Sequence, residues 1–282
     1  TKMTENLALK WYQGSPNFGD EISPVIVQAM AGPETTIVSL DDEDLESEIP
    51  KLAAVGSVMH HLREGTEVWG TGMMLDETPP ENLKFHAVRG PKTRRFLLEH
   101  GYSETEVPEV YGDPALLLPE FYTPKVLPWM QDLWVVIPHH AETRNWRNGF
   151  HPEDQEDHNL YGFHIVWPQD GWETVVDAIA NARGVISQSL HGLIVADAYG
   201  VPNVWWNQGT LPGHNGAFKF LDYFESQKRQ ASSIQHYTEI REDNWEYLMG
   251  ANRDPRSRNQ VDLEALKAAF PYQRAEPAEP SV

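Results

Sequence analysis

Short apolar runs that end in Gly, Pro or His recur along the chain, and most of them are followed by an amphipathic segment. This alternation is typical of a parallel β-sheet with helical crossovers, because a strand buried on both faces reads as a short continuous apolar run. The pattern predicts strands at residues 7–13, 36–40, 52–58, 67–70, 85–89, 110–111, 133–137, 164–167, 184–187 and 203–206. The fold class expected from this rhythm is therefore α/β.

The strands fall into two groups that predict two Rossmann-like domains. Helices are predicted at residues 21–30, 91–100, 172–182, 190–199 and 262–270. Three prolines between residues 119 and 128 separate the groups, a composition that suits an ordered linker. We expect domains at residues 1–120 and 129–272, and a flexible tail rich in Pro, Glu and Ala at 273–282. Two such domains facing each other form a cleft, and parallel sheets bind ligands beyond the carboxyl ends of their strands.

The composition excludes several classes of function. The 282 residues contain 22 Lys+Arg against 42 Asp+Glu, a net charge of −20 that repels nucleic acid, so no nucleic-acid partner is expected. Cys is absent, which excludes disulfides, thiolate nucleophiles and zinc–cysteine sites. The longest apolar stretches are far shorter than the ~18 residues that a membrane span needs. The first residues lack a signal-peptide pattern, so a cytoplasmic protein is expected.

The most informative segment is GVISQSLHGLIVADAYG, residues 184–200. A buried strand ends at Ser187, and a turn of small residues leads into a helix. His191 is therefore expected in the first helical turn, beside free backbone N–H groups that favour a phosphate or a carboxylate. Ser187 and Ser189 can cap the helix or donate to the anion, and Gly192 allows a close approach. A lone histidine is also compatible with a purely structural hydrogen bond.

A second candidate for anion binding is the segment AVRGPKTRR at residues 87–95. The predicted strand ends at Arg89, and Pro91 then suits the first turn of a helix. An arginine at a strand end can present its planar guanidinium to a carboxylate or a phosphate. The neighbouring basic side chains are expected to be solvated or paired with the abundant acidic residues.

Two further loops follow predicted strands. In GSPNFGD, Asn17 and Asp20 can contact a ligand, although a tight turn with a helix cap is the simpler interpretation. His139 and His140 follow the strand at 133–137 and could transfer protons near neutral pH. Adjacent histidines point in different directions, so they predict no metal site.

Five strings occur in a fixed order between about residues 13 and 226: NFGDEIS, AVRGPKT, YGDPALLLP, SLHGLIVADAYGVP and FKFLDYF. Together they resemble the polysaccharide pyruvyltransferase family, in particular its bacterial exopolysaccharide branch. The resemblance implies a GT-B-like pair of Rossmann-type domains. It also implies transfer of a pyruvyl group from phosphoenolpyruvate to a sugar diol, which forms a cyclic ketal and releases phosphate. Phosphoenolpyruvate is then the donor substrate, and no cofactor is expected.

The resemblance also implies roles for individual residues. In the family, the Arg of the "RG" segment and the His of the "LHG" segment lie at the donor site, which points to Arg89 and to His191 beside Leu190. Many members carry a basic residue directly before the Leu–His pair, where this chain has Ser189. Lys219 is a candidate substitute, or else a surface lysine. His191 is then expected as the principal acid or phosphate-neutralising group. The weaker candidates for a base or for acceptor contacts are Asp20, His139 and His140.

The same resemblance suggests partners and leaves alternatives. The first domain is expected on the acceptor side, contributing Arg89, and the second on the donor side. The acceptor would be an exopolysaccharide or its lipid-linked precursor, which implies a cytoplasmic protein, peripheral at the inner face of the inner membrane. Because a fold does not fix a donor, a GT-B nucleotide-sugar glycosyltransferase is one alternative. The other is a non-catalytic glycan-binding protein, with which the 10 Trp residues are compatible.

Overall fold

A computed structural model describes residues 5–139, 162–207, 216–229, 233–234 and 259–272. In these ranges the strands form two five-stranded sheets whose pairings are all parallel. The first sheet contains β1 (Asn6–Lys10), β2 (Thr36–Ser39), β3 (Lys51–Ala53), β4 (Glu67–Trp69) and β5 (Lys84–Ala87). The second contains β6 (Trp134–Ile137), β7 (Phe163–Ile165), β8 (Gly184–Ser187), β9 (Asn203–Trp206) and β10 (Ser233–Ile234). The α/β class is confirmed.

The helices follow the strands as the sequence rhythm predicts. They are α1 (Phe18–Ala31), α2 (Pro91–Glu99), α3 (Trp172–Asn181), α4 (Leu190–Ala198), α5 (Ala217–Ser226) and α6 (Leu263–Ala268). Short 3-10 segments lie at Met59–His61, Pro114–Glu120 and Pro128–Met130. No helix within the described ranges is both long enough and apolar enough to cross a membrane.

Several predicted strands are shorter than expected, and two of them end before a glycine with positive φ. The strand predicted at 52–58 ends at Ala53, because the chain turns at Gly56, where φ is +106°. The strand predicted at 110–111 is reduced to one parallel bridge between Val88 and Tyr111, and Gly112 with φ of +137° ends the extended run. A φ this far into the positive range is readily adopted only by glycine, so these two glycines determine where the strands end.

The two sheets share one strand order. The order is β2-β1-β3-β4-β5 in the first sheet and β7-β6-β8-β9-β10 in the second. In each sheet the first strand lies between the second and the third, so the chain winds to one side and then to the other. This order creates a switch point between β1 and β3 and another between β6 and β8, where open parallel sheets bind ligands.

The two sheets pack into a continuous apolar core. Leu9 of β1 and Ile137 of β6 belong to the same buried cluster, and α1 contacts both α3 and α4. Between the halves, the Phe18 N–H donates to the Pro168 carbonyl at 2.7 Å, and the Trp172 N–H donates to Glu21 Oε2 at 3.2 Å. The protein therefore has two Rossmann-like units in contact, a GT-B-like architecture.

The described C-terminal segment, residues 259–272, packs largely on the first sheet. Trp69 Nε1 donates to the Leu266 carbonyl at 2.8 Å, and the Trp69 ring meets Phe270 edge-on at 4.7 Å between centroids. The predicted range 129–272 for the second domain therefore ends with a segment that contacts the first unit. The exact domain bounds stay a prediction, and the expected tail at 273–282 lies outside the described residues.

Candidate active site

The two switch points meet through the first turns of two helices. Helix α1 follows β1, and α4 follows β8. A methyl group on Gly19 of α1 would lie only 2.4 Å from Cγ and Nδ1 of His191 in α4, so the imidazole packs directly on this glycine. Both helices thus direct their N-termini toward the same place at the carboxyl edges of the sheets. This junction is where a ligand is expected in such a fold.

His191 is paired with a buried carboxylate. Its Nε2 lies 3.2 Å from Oδ2 of Asp113, whose side chain is fully buried. The same carboxylate accepts the backbone N–H of Gly56 at 3.1 Å and that of Ala115 at 2.8 Å. The carboxylate thus faces the imidazole at Nε2, and Nδ1 is the ring nitrogen turned away from it. The Asp113–His191 pair therefore has a fixed orientation.

Asp20 lies beside this pair. A methyl group on Gly56 would be 3.9 Å from Asp20 Oδ1 and 3.9 Å from His191 Cε1, so the carboxyl and the imidazole border one small space. Burial raises the pKa of Asp20 to about 6, against a lowering influence from His191 and Lys219. A carboxyl group with this pKa can exchange a proton close to neutral pH, as general acid–base catalysis requires.

Lys219 in α5 supplies a positive charge to the same region. Burial lowers the pKa of its ammonium to about 8, with a further lowering from Arg89 and an opposing influence from Asp20. Its Nζ lies 5.6 Å from the Phe220 ring centroid, and among the described residues it has neither a hydrogen-bond nor a salt-bridge partner. The residue is only partly buried, and its ammonium has no internal anion in the described part of the chain, so this cation is suited to an incoming anion.

Arg89 is held in a buried network rather than left free. Its side chain is fully buried, and Nε donates to Asp222 Oδ2 at 2.9 Å. Nη1 donates to Ser57 Oγ at 2.6 Å, and Nη2 donates to the Met73 carbonyl at 2.5 Å. The guanidinium that the sequence predicts at this strand end thus faces internal acceptors, because each nitrogen already has one. A direct contact between Arg89 and the donor stays a prediction.

Asp222 docks α5 on the first unit. Besides Arg89, its carboxylate accepts the backbone N–H of Thr93 at 2.8 Å and the Thr93 hydroxyl at 2.7 Å, both at the start of α2. Gly90 lies so close that a methyl group there would be 2.2 Å from the Asp222 carbonyl oxygen. Lys219 precedes Asp222 by three residues, which places the two on the same side of the helix. The buried ion pair therefore fixes the helix that carries Lys219.

In the SLHG segment, residues 189–192, and the preceding Ser187, some side chains shape the turn and one hydroxyl is left to bind a ligand. The Ser187 hydroxyl donates to the Ser189 carbonyl at 2.7 Å and accepts the Ser189 N–H at 2.9 Å, so it shapes the turn. Gly192 packs on Ser187, since a methyl group there would be 2.2 Å from its Oγ, and the Leu190 side chain is buried in the core. Ser189 is the N-cap of α4, and its side chain makes no capping bond. In the described part of the chain, Ser189 is therefore the serine of this corner whose hydroxyl makes no hydrogen bond.

The remaining predicted residues are placed less centrally. Asn17 is the N-cap of α1, where its Oδ1 accepts the Gly19 N–H at 3.1 Å. The His139 N–H donates to Gln188 Oε1 at 2.5 Å, at the end of β6. His140 lies outside the described residues. In the described part of the chain, no three His, Asp or Glu side chains converge as a metal site requires. The ligand roles of these residues stay predictions.

Sequence reasoning missed two carboxylates of this region. Asp113 orients His191 across 78 residues of chain, and Asp222 holds Arg89 across 133. Both lie in strings that carry the family resemblance, YGDPALLLP and FKFLDYF. The signal for Asp113 was a Gly-Asp-Pro turn directly after a short predicted strand, the same position that identified the other candidates.

A comparison with solved structures supports the class of fold. The chain is similar to a crystal structure from Listeria monocytogenes of a protein proposed to be a UDP-N-acetylglucosamine 2-epimerase. The TM-score is 0.55, the identity is 11%, and 93% of each chain is covered. At this identity the similarity concerns the fold alone, and it supports two Rossmann-like domains of the GT-B type.

Part of the sequence matches a protein family. The family model described as polysaccharide pyruvyl transferase matches residues 80–207, which confirms the resemblance over that part of the chain. The match includes Arg89, Asp113 and His191, whereas Asp20 and Lys219 lie outside it. The chain is also 22% identical over 220 residues to an uncharacterized protein of Acanthamoeba polyphaga mimivirus, covering 78% of this chain and 74% of that protein. The matched family implies pyruvyl transfer to a saccharide.

Proposed function

We propose that this protein transfers the pyruvyl group of phosphoenolpyruvate to two hydroxyls of a sugar, forming a pyruvate ketal and releasing phosphate. The observation that carries the proposal is the Asp113–His191 pair, which meets Asp20 at the junction of the two units. His191 and Asp113 lie within the segment that matches the pyruvyl transferase family. The acceptor would be an exopolysaccharide or its lipid-linked precursor.

Donor binding requires cationic and N–H groups, because phosphoenolpyruvate carries a carboxylate and a phosphate. Lys219 offers an ammonium without an intramolecular partner in the described chain. The first turn of α4 adds backbone N–H groups and the Ser189 hydroxyl, and a helix N-terminus favours negative charge. Arg89 contributes positive charge nearby, although its hydrogen-bond donors face internal acceptors.

The reaction then needs one acid and one base. Protonation of the methylene carbon C3 by His191 creates positive character at C2, which one sugar hydroxyl attacks as Asp20 accepts its proton. The bond between C2 and the phosphate oxygen then breaks, and the second hydroxyl attacks C2. The two hydroxyls lose two protons in total. One of them replaces the proton that His191 gave to C3, and the other leaves on hydrogen phosphate. Asp113 orients the imidazole through Nε2 and stabilises the imidazolium form.

The first experiment measures thermal stabilisation of the protein by phosphoenolpyruvate, phosphate, pyruvate and a panel of nucleotide sugars, since a ligand that binds only the folded state raises its apparent stability. Selective stabilisation by phosphoenolpyruvate, lost in His191→Ala, is the expected result. His86→Ala is the matched control, because that histidine lies on β5 and pairs with Glu67 away from the site. Stabilisation by a nucleotide sugar alone would instead identify a glycosyltransferase.

The second experiment measures phosphate release from phosphoenolpyruvate with saccharides that present adjacent or 4,6-related hydroxyl pairs. We expect turnover to fall at least ~100-fold in His191→Ala, the low end for loss of a general acid. Near-normal turnover in a folded His191→Ala variant would remove this residue from the mechanism. Glycan binding without any phosphate release would identify a non-catalytic binding protein.

A further inference from the structure

The carboxamide of Gln188 is buried and only half satisfied. The residue is 8% exposed, and its Oε1 accepts the His139 N–H at 2.5 Å, which fixes the orientation of the amide. Its Nε2 is buried and has no hydrogen-bond partner among the residues that the structure describes. Buried polar atoms are nearly always paired, because an unpaired one keeps the cost of leaving water without recovering a hydrogen bond. Gln188 is therefore fixed through its Oε1, while its Nε2 donor is left for a partner that the described chain does not supply.

Gln188 lies at the switch point of the second sheet. It directly follows β8, and its backbone N–H donates to the Ile137 carbonyl at the end of β6 at 2.9 Å. These two strands are the pair between which the chain reverses its winding. The amide thus lies at the carboxyl edge of the sheet, in the place where this topology forms a ligand crevice.

A helix N-terminus adjoins the same position. Ser189, the next residue, is the N-cap of the nine-residue helix α4, and its hydroxyl makes no capping bond. The Ser187 hydroxyl is committed to the backbone of Ser189 and does not compete. An unpartnered buried N–H₂ group, the Ser189 hydroxyl and the first-turn N–H groups of α4 therefore belong to consecutive residues at the end of β8 and the start of α4. All of these are donors, and acceptor-only ligand atoms such as anionic oxygens satisfy them.

We infer that Gln188 Nε2 donates to an anionic oxygen of the donor substrate, bound at the N-terminus of α4. The inference rests on the proposed function, in which both the carboxylate and the phosphate of phosphoenolpyruvate carry such oxygens. Gln188 is then a substrate-binding residue, and its unpaired amide is the state without ligand. Sequence reasoning did not single it out, because a glutamine between two serines shows no pattern.

The test is Gln188→Glu in the full chain. This change keeps an oxygen to accept the His139 N–H and replaces only the N–H₂ group by a second oxygen. The matched control is Gln131→Glu, which adds the same charge at an exposed position. Dissociation constants for phosphate, pyruvate and phosphoenolpyruvate are measured separately by calorimetry. Loss of a hydrogen bond to a charged group predicts about 10-fold weaker binding or more in Gln188→Glu. The control should stay close to the parent protein.

A second variant, Gln188→Met, removes the donor without adding charge, and it also removes the oxygen that accepts the His139 N–H. We expect it to weaken binding of the same anion as Gln188→Glu does, and to lower the melting temperature because the His139 N–H loses its acceptor. A purely structural glutamine would lower the melting temperature in Gln188→Met and leave the dissociation constants of both variants unchanged. Weakening of pyruvate alone would assign the contact to the carboxylate, and weakening of phosphate alone would assign it to the phosphoryl group.

The outcomes separate this inference from the proposed function. If the parent protein binds phosphoenolpyruvate and both Gln188 variants bind it equally well, the inference is overturned and the proposed function stands. If the parent protein binds phosphate through Gln188 but neither binds phosphoenolpyruvate nor transfers its pyruvyl group, the anion contact stands and the proposed function fails. If none of the three anions binds to the parent protein, both are overturned.

Discussion

Asp222→Asn should strongly destabilise the protein, because Asp222 forms a buried ion pair with Arg89. Both side chains are fully buried, and the Asp222 carboxylate accepts three hydrogen bonds of 2.7–2.9 Å from Arg89 and Thr93. The asparagine can still accept from Thr93, but it removes the negative charge and turns an N–H₂ group or a neutral oxygen toward Arg89. The guanidinium then stays buried without a compensating charge. This is the most costly way to break an ion pair.

The expected magnitude follows from burial. Removing one partner of a buried pair costs about 3–5 kcal/mol, and each kcal/mol lowers the melting temperature of a chain of this size by roughly 2–4 °C, so we expect a drop of about 6–20 °C. Arg95 and Glu225 join the same helices α2 and α5 through two bonds of 2.7 and 2.8 Å, but this pair is exposed. Glu225→Gln is therefore the matched control, with an expected cost of about 1 kcal/mol or less.

The assay is thermal unfolding of the parent protein and of both variants, with phosphoenolpyruvate binding as the second readout. Because Asp222 docks the helix that carries Lys219, the Asp222→Asn variant should also bind the donor less well below its melting temperature. The double variant Arg89→Met with Asp222→Leu should lose less stability than the sum of the two single changes, since contacting residues are energetically coupled. Equal melting temperatures for Asp222→Asn and Glu225→Gln would refute the reasoning.

Three further predictions test the site. Gly19→Ala should displace the imidazole that packs on this glycine and abolish turnover in a folded protein, whereas Gly216→Ala, where a methyl group meets open space, should leave turnover unchanged. Asp20 has a pKa of about 6 when folded against an ordinary 3.8, so its folded state binds the proton more tightly. Its contribution to stability is present at low pH and lost as pH rises from about 4 to 6. Asp20→Asn should then be more stable than the parent at pH 7.5, by at most about 3 kcal/mol of unfolding free energy, and equally stable below about pH 4. A higher melting temperature of the variant that persists at pH 4 would contradict this. Because burial lowers the pKa of Lys219 to about 8, the parent protein should bind phosphate less tightly as pH rises through 8. Lys219→Arg, which stays protonated, should keep its affinity there, and identical pH profiles in titration calorimetry would exclude the lysine as the anion-binding cation.

Most of the fold could be predicted because the determinants are local. Strands β8 and β9 occur with the predicted bounds, since each is a short run buried on both faces. Helix α2 begins at Pro91 as predicted, because proline suits a first turn. Strand β3 was predicted too long, since apolar residues after Ala53 are buried by the turn at Gly56 rather than by a strand. Burial without periodicity does not distinguish these two cases.

The site could be predicted only in part, because its contacts are long-range. His191 and Asp20 were expected after strands at a shared cleft, and the structure brings them together. Nothing local in the sequence indicates that Arg89 faces Asp222, 133 residues later, instead of a ligand. A charged residue at a strand end reads the same way whether its partner is a substrate or a helix of the other unit. That distinction depends on how the two units pack.

The arrangement of charges explains why one cation of this region is free and another is not. Arg89 is neutralised by Asp222, so their buried pair holds the two units together at little net charge. Lys219, three residues before Asp222, has no such partner among the described residues. The carboxyl that raises its pKa is Asp20, whose own charge is disfavoured by burial. An arriving anion therefore meets an ammonium that no internal carboxylate has satisfied. Adding a fixed carboxylate beside Lys219 would create a second structural pair and remove the attraction that the site offers to phosphoenolpyruvate.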